Sequence, residues 1–185
     1  MTTVATPGAG GWLTHMADVL RDAGLTVIEY AGWKSRSNST GAMRANLGVI
    51  VHHSASGTGW TAQREADFLA VEHDSAPVGN LFLDRSGTWW TLAAGSTNTA
   101  GKGGPWTTSL GTVPLDGANS RTINIEAANN GTGEPWSPQM QDSYARGVAA
   151  LCDGLEVSVK GSAERRCFDH KSQWNQCGAN ERIVE

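Results

Sequence analysis

Residues 48–57, GVIVHHSASG, run from apolar and glycine positions straight into paired histidines and then into a Ser/Gly turn. Such a run reads as a buried strand that ends at a site. Side chains alternate along a strand, so His52 and His53 point to opposite faces and only one of the two imidazoles serves a given centre. Upstream, Leu13, Met16, Ala17, Leu20 and Ala23 recur at helical spacing over 11–24, with Gly24 as a stop, and LTVIEY at 25–30 follows as a strand. The polar segment 34–46 reads as a loop. Downstream, Thr61 is a natural N-cap for a helix running to about His73, a position that the helix dipole favours for a histidine. A hairpin follows, with Leu81, Phe82 and Leu83 before an Asp-Arg-Ser-Gly turn and 88–92 after it, which sets Trp89 and Trp90 on opposite faces. Residues 95–119, rich in Gly, Ser, Thr and Asn, read as a long surface loop. Over 121–131, Ile123 and Ile125 alternate with Asn124 and Glu126, a strand with one wet or functional face. Ser137 and Pro138 then open a helix that runs to Leu155 and places Cys152 on its core side.

A chain of 185 residues suffices for one hydrophobic core, so 1–185 is read as a single domain, with the helix and strand of 11–46 packed on it as an N-terminal extension. At 39% hydrophobic and 17% charged residues the chain belongs to the folded soluble class. It holds no run of apolar residues long enough to span a membrane, and its start, MTTVATPGAGGWLTHM, has neither the basic nor the apolar region of a secretory signal. With 14 basic and 18 acidic side chains and no basic cluster, nucleic acid is excluded as an expected partner. Three cysteines, Cys152, Cys167 and Cys177, are too few for a disulfide scaffold and leave at least one as a thiol or metal ligand. Eight tryptophans and 23 glycines suit a groove with flat apolar walls that accepts sugars or extended peptides, although tryptophan is also ordinary core material.

The candidate chemistry comes from residues far apart in sequence. A hydrolytic zinc takes three protein ligands and keeps one position open for water, and His52, His170 and Cys177 supply a suitable imidazole and thiolate set. Glu126, at a strand end, is then the candidate base that accepts the proton of the attacking water. The alternative for the histidine pair is a strand end with no metal, and for Glu126 a solvated side chain. Cys177 has alternatives too: a disulfide to Cys167, or simple burial.

VIVHHSASG, GNLFLDRSGTWWTLAAG, NTAGKG, INIEAANNGTGEPW and the late DHK together resemble the zinc-dependent N-acetylmuramoyl-L-alanine amidases of type 2, which share a fold with peptidoglycan recognition proteins. Within that family the opening ADVLRDAGLTVIEYAGWKSR is similar to endolysins of phages that infect actinobacteria. The resemblance implies an α/β fold, a central mixed β-sheet flanked by helices with zinc in a surface groove. It also implies cleavage of the amide between N-acetylmuramic acid and L-alanine in bacterial peptidoglycan by a monomer that acts from the host cytoplasm on the cell wall. By motif, the first zinc histidine falls on His52, the second on His170 and the glutamate on Glu126. Asn80 stands where many members have a tyrosine and Thr99 where they have a loop histidine; these two, with His53 and Asn129, are the candidate substrate-binding residues. The family's usual ending, whose aspartate completes the zinc site, is not recognisable, which leaves Cys177 as third ligand or Glu185 in RIVE as the alternative. A non-catalytic peptidoglycan-binding module and a zinc peptidase acting within the stem peptide are the competing functions.

Overall fold

The computed structural model describes residues 8–154 and the backbone of 182–184. In chain order the elements are β1 (Gly8–Gly11), α1 (Met16–Asp22), β2 (Val27–Glu29), a 3-10 turn (Trp33–Ser35), β3 (Met43–Asn46) and β4 (Val49–His53). Then come α2 (Ala62–Asp67), which continues as a π-helical turn (Phe68–Glu72), β5 (Leu81–Leu83) and β6 (Trp89–Thr91). β7 (Trp106–Thr108), β8 (Gly111–Val113), a 3-10 turn (Ala118–Ser120), β9 (Ile123–Ala127), α3 (Pro138–Gly154) and β10 (Arg182–Val184) complete the set.

The central sheet has six strands in the order β10-β4-β9-β5-β6-β2. It is mixed: β4, β9 and β5 are parallel neighbours, β6 is antiparallel to β5, β2 is parallel to β6, and β10 is antiparallel to β4. The strand of the N-terminal extension thus closes one edge of the sheet. Buried on both faces, the parallel strands carry the apolar runs expected of that position, from Val49 and Ile50 through Ile123 and Ile125 to Leu81, Phe82 and Leu83.

Trp89 anchors one face. Its ring is fully buried, meets Tyr144 edge-on and donates from Nε1 to Ser143 Oγ at 3.0 Å, so α3 covers this side. Gly147 makes the approach possible, since a Cβ there would stand 2.1 Å from Trp89 Cζ2. Helix α1 lies alongside α3, where Arg146 Nη2 donates to the Ala23 carbonyl and Val19 faces Gly154. Trp90 faces the other way and donates to Asp84 Oδ2 at 3.0 Å. The expected caps are present: Thr61 Oγ1 accepts from Arg64 N at 3.2 Å and Ser137 Oγ from Met140 N at 3.1 Å, each occupying a donor that the first helical turn leaves open. Cys152 is buried on α3, as its helical position requires.

Three expectations need correction. The 34–46 segment is not all loop: β3 pairs antiparallel with β1. Its partner, GAGG, has only the Ala9 methyl to signal a strand, and at Gly10 a Cβ would stand 2.3 Å from the Met43 carbonyl oxygen. Residues 95–119 hold the β7–β8 hairpin, packed on a second small core of Leu47, Ile50, Val113 and Ala118 with Trp106 and Leu110. Ser96 and Thr97 are fully buried there, their backbone groups paired with Gly41, Asn38 and Asn119. Of the two readings of the polar face of β9, wet or functional, the wet one fails: Asn124 and Glu126 are both buried. Among the described residues no helix is long and apolar enough to cross a membrane.

Candidate active site

The parallel register puts His52 of β4 directly beside Glu126 of β9, and Glu126 beside Phe82 of β5. Directly opposed residues of neighbouring strands share a face, so imidazole, carboxylate and phenyl ring form one row on the side of the sheet away from α3. The row lies near the carboxyl ends of parallel strands, where α/β sheets gather ligand-binding side chains. β4 is held from behind by Tyr144, whose hydroxyl donates to the His52 carbonyl at 3.2 Å. Burial raises the Tyr144 pKa well above its ordinary value, so the hydroxyl keeps the proton that this bond uses.

Glu126 is 6% exposed, and its Oε2 has no hydrogen-bond partner among the described residues. Burial, and after it the charge of Glu65, pushes its pKa from 4.5 up to about 8. A carboxyl so placed holds a proton near neutrality and releases it readily, which suits a group that takes and returns protons. Gly79 makes room for it: the residue has φ +91°, and a Cβ there would stand 3.3 Å from Glu126 Cγ.

His53 points to the opposite face, as alternation demands. Its Nδ1 accepts from Ala55 N at 3.3 Å, and its ring packs so tightly on Gly131 that a Cβ there would stand 2.5 Å from Cε1. His53, a substrate-binding candidate by resemblance, thus packs against the 129–134 loop on the face opposite His52. Asn80, also expected at the substrate, is enclosed at 0% exposure. Its Nδ2 donates to the carbonyls of Ala93 and Gly95, and its Oδ1 accepts from Asn124 N at 2.9 Å, so the whole amide is committed to joining the hairpin to β9. Asn129 is likewise occupied, closing its own loop through the Glu134 carbonyl and Gly131 N. Thr99 is half-buried, with Oγ1 3.2 Å from Thr97 Oγ1, which in turn lies 3.5 Å from Asn124 Nδ2 on the Glu126 face. It is the substrate candidate that remains on the side of the row.

His170, Cys177, Cys167 and Glu185 lie outside the described residues, so the full ligand set is not placed. Among the described residues no group of three His, Cys, Asp or Glu side chains could hold a metal, and His52 is the one described member of the proposed set.

A second cluster was not legible from spacing. Glu65 of α2, 1% exposed, accepts on Oε1 from the hydroxyls of both Ser54 and Ser56, just beyond β4. Its Oε2 lies 3.2 Å from Arg85 Nη1, and Arg85 grips Glu134 through Nε at 2.7 Å and Nη2 at 3.1 Å. The hydrogen bond to Glu134 raises the Arg85 pKa, and the reciprocal bond lowers that of Glu134. A cavity of about 220 Å³, lined by Trp60, Ala62, Glu65, Asp84, Arg85 and Ser86, opens beside this cluster.

The model of the Amidase_2 family, described as N-acetylmuramoyl-L-alanine amidase, matches residues 42–179, well over half of the chain. The chain belongs to this family. Among solved structures, it is similar to the N-acetylmuramoyl-L-alanine amidase LysC from Clostridium intestinale URNW, with 14% identity over 72% of this chain and 78% of that one and a TM-score of 0.49. The endolysin N-acetylmuramoyl-L-alanine amidase LysCS from the same organism is 16% identical over 72% and 77% of the two chains, with a TM-score of 0.45. Drosophila peptidoglycan recognition protein SA is 14% identical over 72% and 76%, with a TM-score of 0.46. No curated protein matches the chain. The β4 and β9 motifs that carry His52 and Glu126 both fall inside the matched amidase segment.

Proposed function

We propose that the protein is a zinc-dependent amidase that cleaves peptidoglycan between N-acetylmuramic acid and L-alanine, in the manner of a lytic endolysin. One observation carries the reading: His52 and Glu126 stand side by side on β4 and β9, with the carboxylate buried and Oε2 without a hydrogen bond among the described residues. A buried carboxylate lacking a partner destabilises a fold, and a module that only binds has no use for it. This favours catalysis over recognition alone.

The donor chemistry fits zinc, with His52, His170 and Cys177 as the residues that would hold it. Cys177 is preferred to Glu185 as the third ligand because it follows His170 by only seven residues, a loop short enough to bring both side chains to one ion. Zinc bound there supplies Lewis acidity, activating water near neutral pH and polarising the scissile carbonyl. Glu126, as the carboxylate, takes the proton of the attacking water and returns it to the departing amine of L-alanine. Phe82, buried in the same row, adds an apolar neighbour on the Glu126 face of the sheet. The substrate is the bacterial wall, reached from the host cytoplasm, with the protein acting as a monomer.

Digestion of purified peptidoglycan followed by mass spectrometry tests the reading. The expected products are intact stem peptides with a free L-alanine amine. Fragments cut within the stem would make the protein a peptidase, and binding with no release would make it a recognition module.

A further inference from the structure

The Glu65–Arg85–Glu134 cluster sits where the chain leaves three adjacent parallel strands. Ser54 and Ser56 follow β4, Arg85 follows β5, and Asn130 and Glu134 follow β9. Besides its bonds to the two carboxylates, Arg85 donates from Nη2 to the Ser56 carbonyl at 2.9 Å, and Glu134 Oε2 accepts from Asn130 N at 2.7 Å. Ser54 is two positions beyond His52, and Asn130 four beyond Glu126. The loops that follow β4, β5 and β9 are therefore tied, directly or through one carboxylate, to one guanidinium.

Stability alone is a poor explanation. Two carboxylates share a single cation, and the side chains of Glu65 and Glu134 are only 1% and 14% exposed. Buried ion pairs of this kind return little net stability, because desolvation offsets attraction, and apolar replacements of similar volume often serve as well. What a forked, bidentate arginine provides that apolar packing does not is fixed angle and distance among its partners.

We propose that Arg85 is a positioning residue for the reaction: its guanidinium locks the loops after β4, β5 and β9 into a rigid rim and so sets the placement of Glu126 relative to His52. The proposal rests on the amidase reading above. It assigns no contact with substrate to Arg85, whose five N–H donors are taken up by Ser56, Glu65 and Glu134.

The test compares Arg85→Met and Arg85→Lys with wild type on soluble peptidoglycan fragments, well below each variant's melting midpoint, with zinc content measured in parallel. Arg85→Met is expected to keep zinc and KM and to lose kcat by roughly 10- to 100-fold, the penalty of a small misplacement of reacting groups. Arg85→Lys, which cannot form the fork, is expected to recover little of that loss. A kcat equal to wild type in Arg85→Met overturns the proposal, as does a raised KM at unchanged kcat. Should Arg85→Met fail to fold, Glu134→Gln keeps an acceptor for Asn130 N while removing the ion pair. It is expected to lower kcat about threefold or more at constant KM, and wild-type kcat there also overturns the proposal. A wild-type protein that releases no stem peptide defeats the amidase reading and the proposal with it, whereas an active wild type beside an equally active Arg85→Met defeats the proposal alone.

Discussion

Replacing Glu126 by glutamine should stabilise the metal-free protein, and by an amount that grows with pH. The unfolded chain releases this proton near 4.5, whereas the folded protein holds it until about 8. Between those values the folded state binds more protons than the unfolded one, so stability falls as pH rises, and below about 4.5 the penalty vanishes. Each tenfold change in proton activity across that window is worth about 1.4 kcal/mol, so wild type should lose roughly 3 to 4 kcal/mol from this group between about pH 5 and about pH 8. Glutamine does not titrate and keeps the volume of the side chain. Urea unfolding of both proteins with chelator at several pH values in that range isolates the effect, because contributions from all other groups cancel in the difference. The gap in unfolding free energy should widen steadily in favour of Glu126→Gln. Parallel profiles would mean that the carboxylate is solvated or paired, and would remove the physical basis for treating Glu126 as a buried base.

Two further outcomes follow from particular contacts. Gly147→Ala gains helix propensity worth about 1 kcal/mol, but its Cβ would fall 2.1 Å from the fully buried Trp89 ring. Overpacking should win, with a net loss of roughly 1 to 3 kcal/mol read by thermal or urea unfolding, and no loss would show that α3 can move off the sheet. Cys177→Ser should lower zinc content sharply while Glu185→Gln should leave it unchanged, by metal analysis of the purified proteins; full zinc in the serine variant would move the third ligand elsewhere.

The elements that hold the site were legible because pattern and position agreed. The apolar run before His52, the alternation around Glu126, the Asp-Arg-Ser-Gly turn and the caps at Thr61 and Ser137 each carry a local signal that the structure repeats. β1 escaped notice because glycine pairs by backbone alone and shows no alternation. Ser96 and Thr97 were read as surface loop and Asn124 as part of a wet or functional face, since their side chains are polar, yet all three are buried, with hydrogen bonds from distant segments such as Asn38 and Asn80. The hydrogen bonds by which the Asn80 and Asn129 amides tie together separate parts of the chain were equally hidden. No sequence rule could give the slide of β4 against β9 that sets His52 beside Glu126, nor gather Ser56, Glu65, Arg85 and Glu134 around one guanidinium. Register and long-range ion pairing are decided by packing of the whole sheet, and they appear only in three dimensions.

The central claim is that Glu126 is the base beside a zinc held in part by His52. Peptidoglycan hydrolysis by Glu126→Gln, measured together with its zinc content and its binding to purified walls, tests this most directly. The variant should hold zinc and bind walls like wild type while its rate of stem-peptide release falls by roughly 10²- to 10⁴-fold. Wild-type turnover in that variant would contradict the claim.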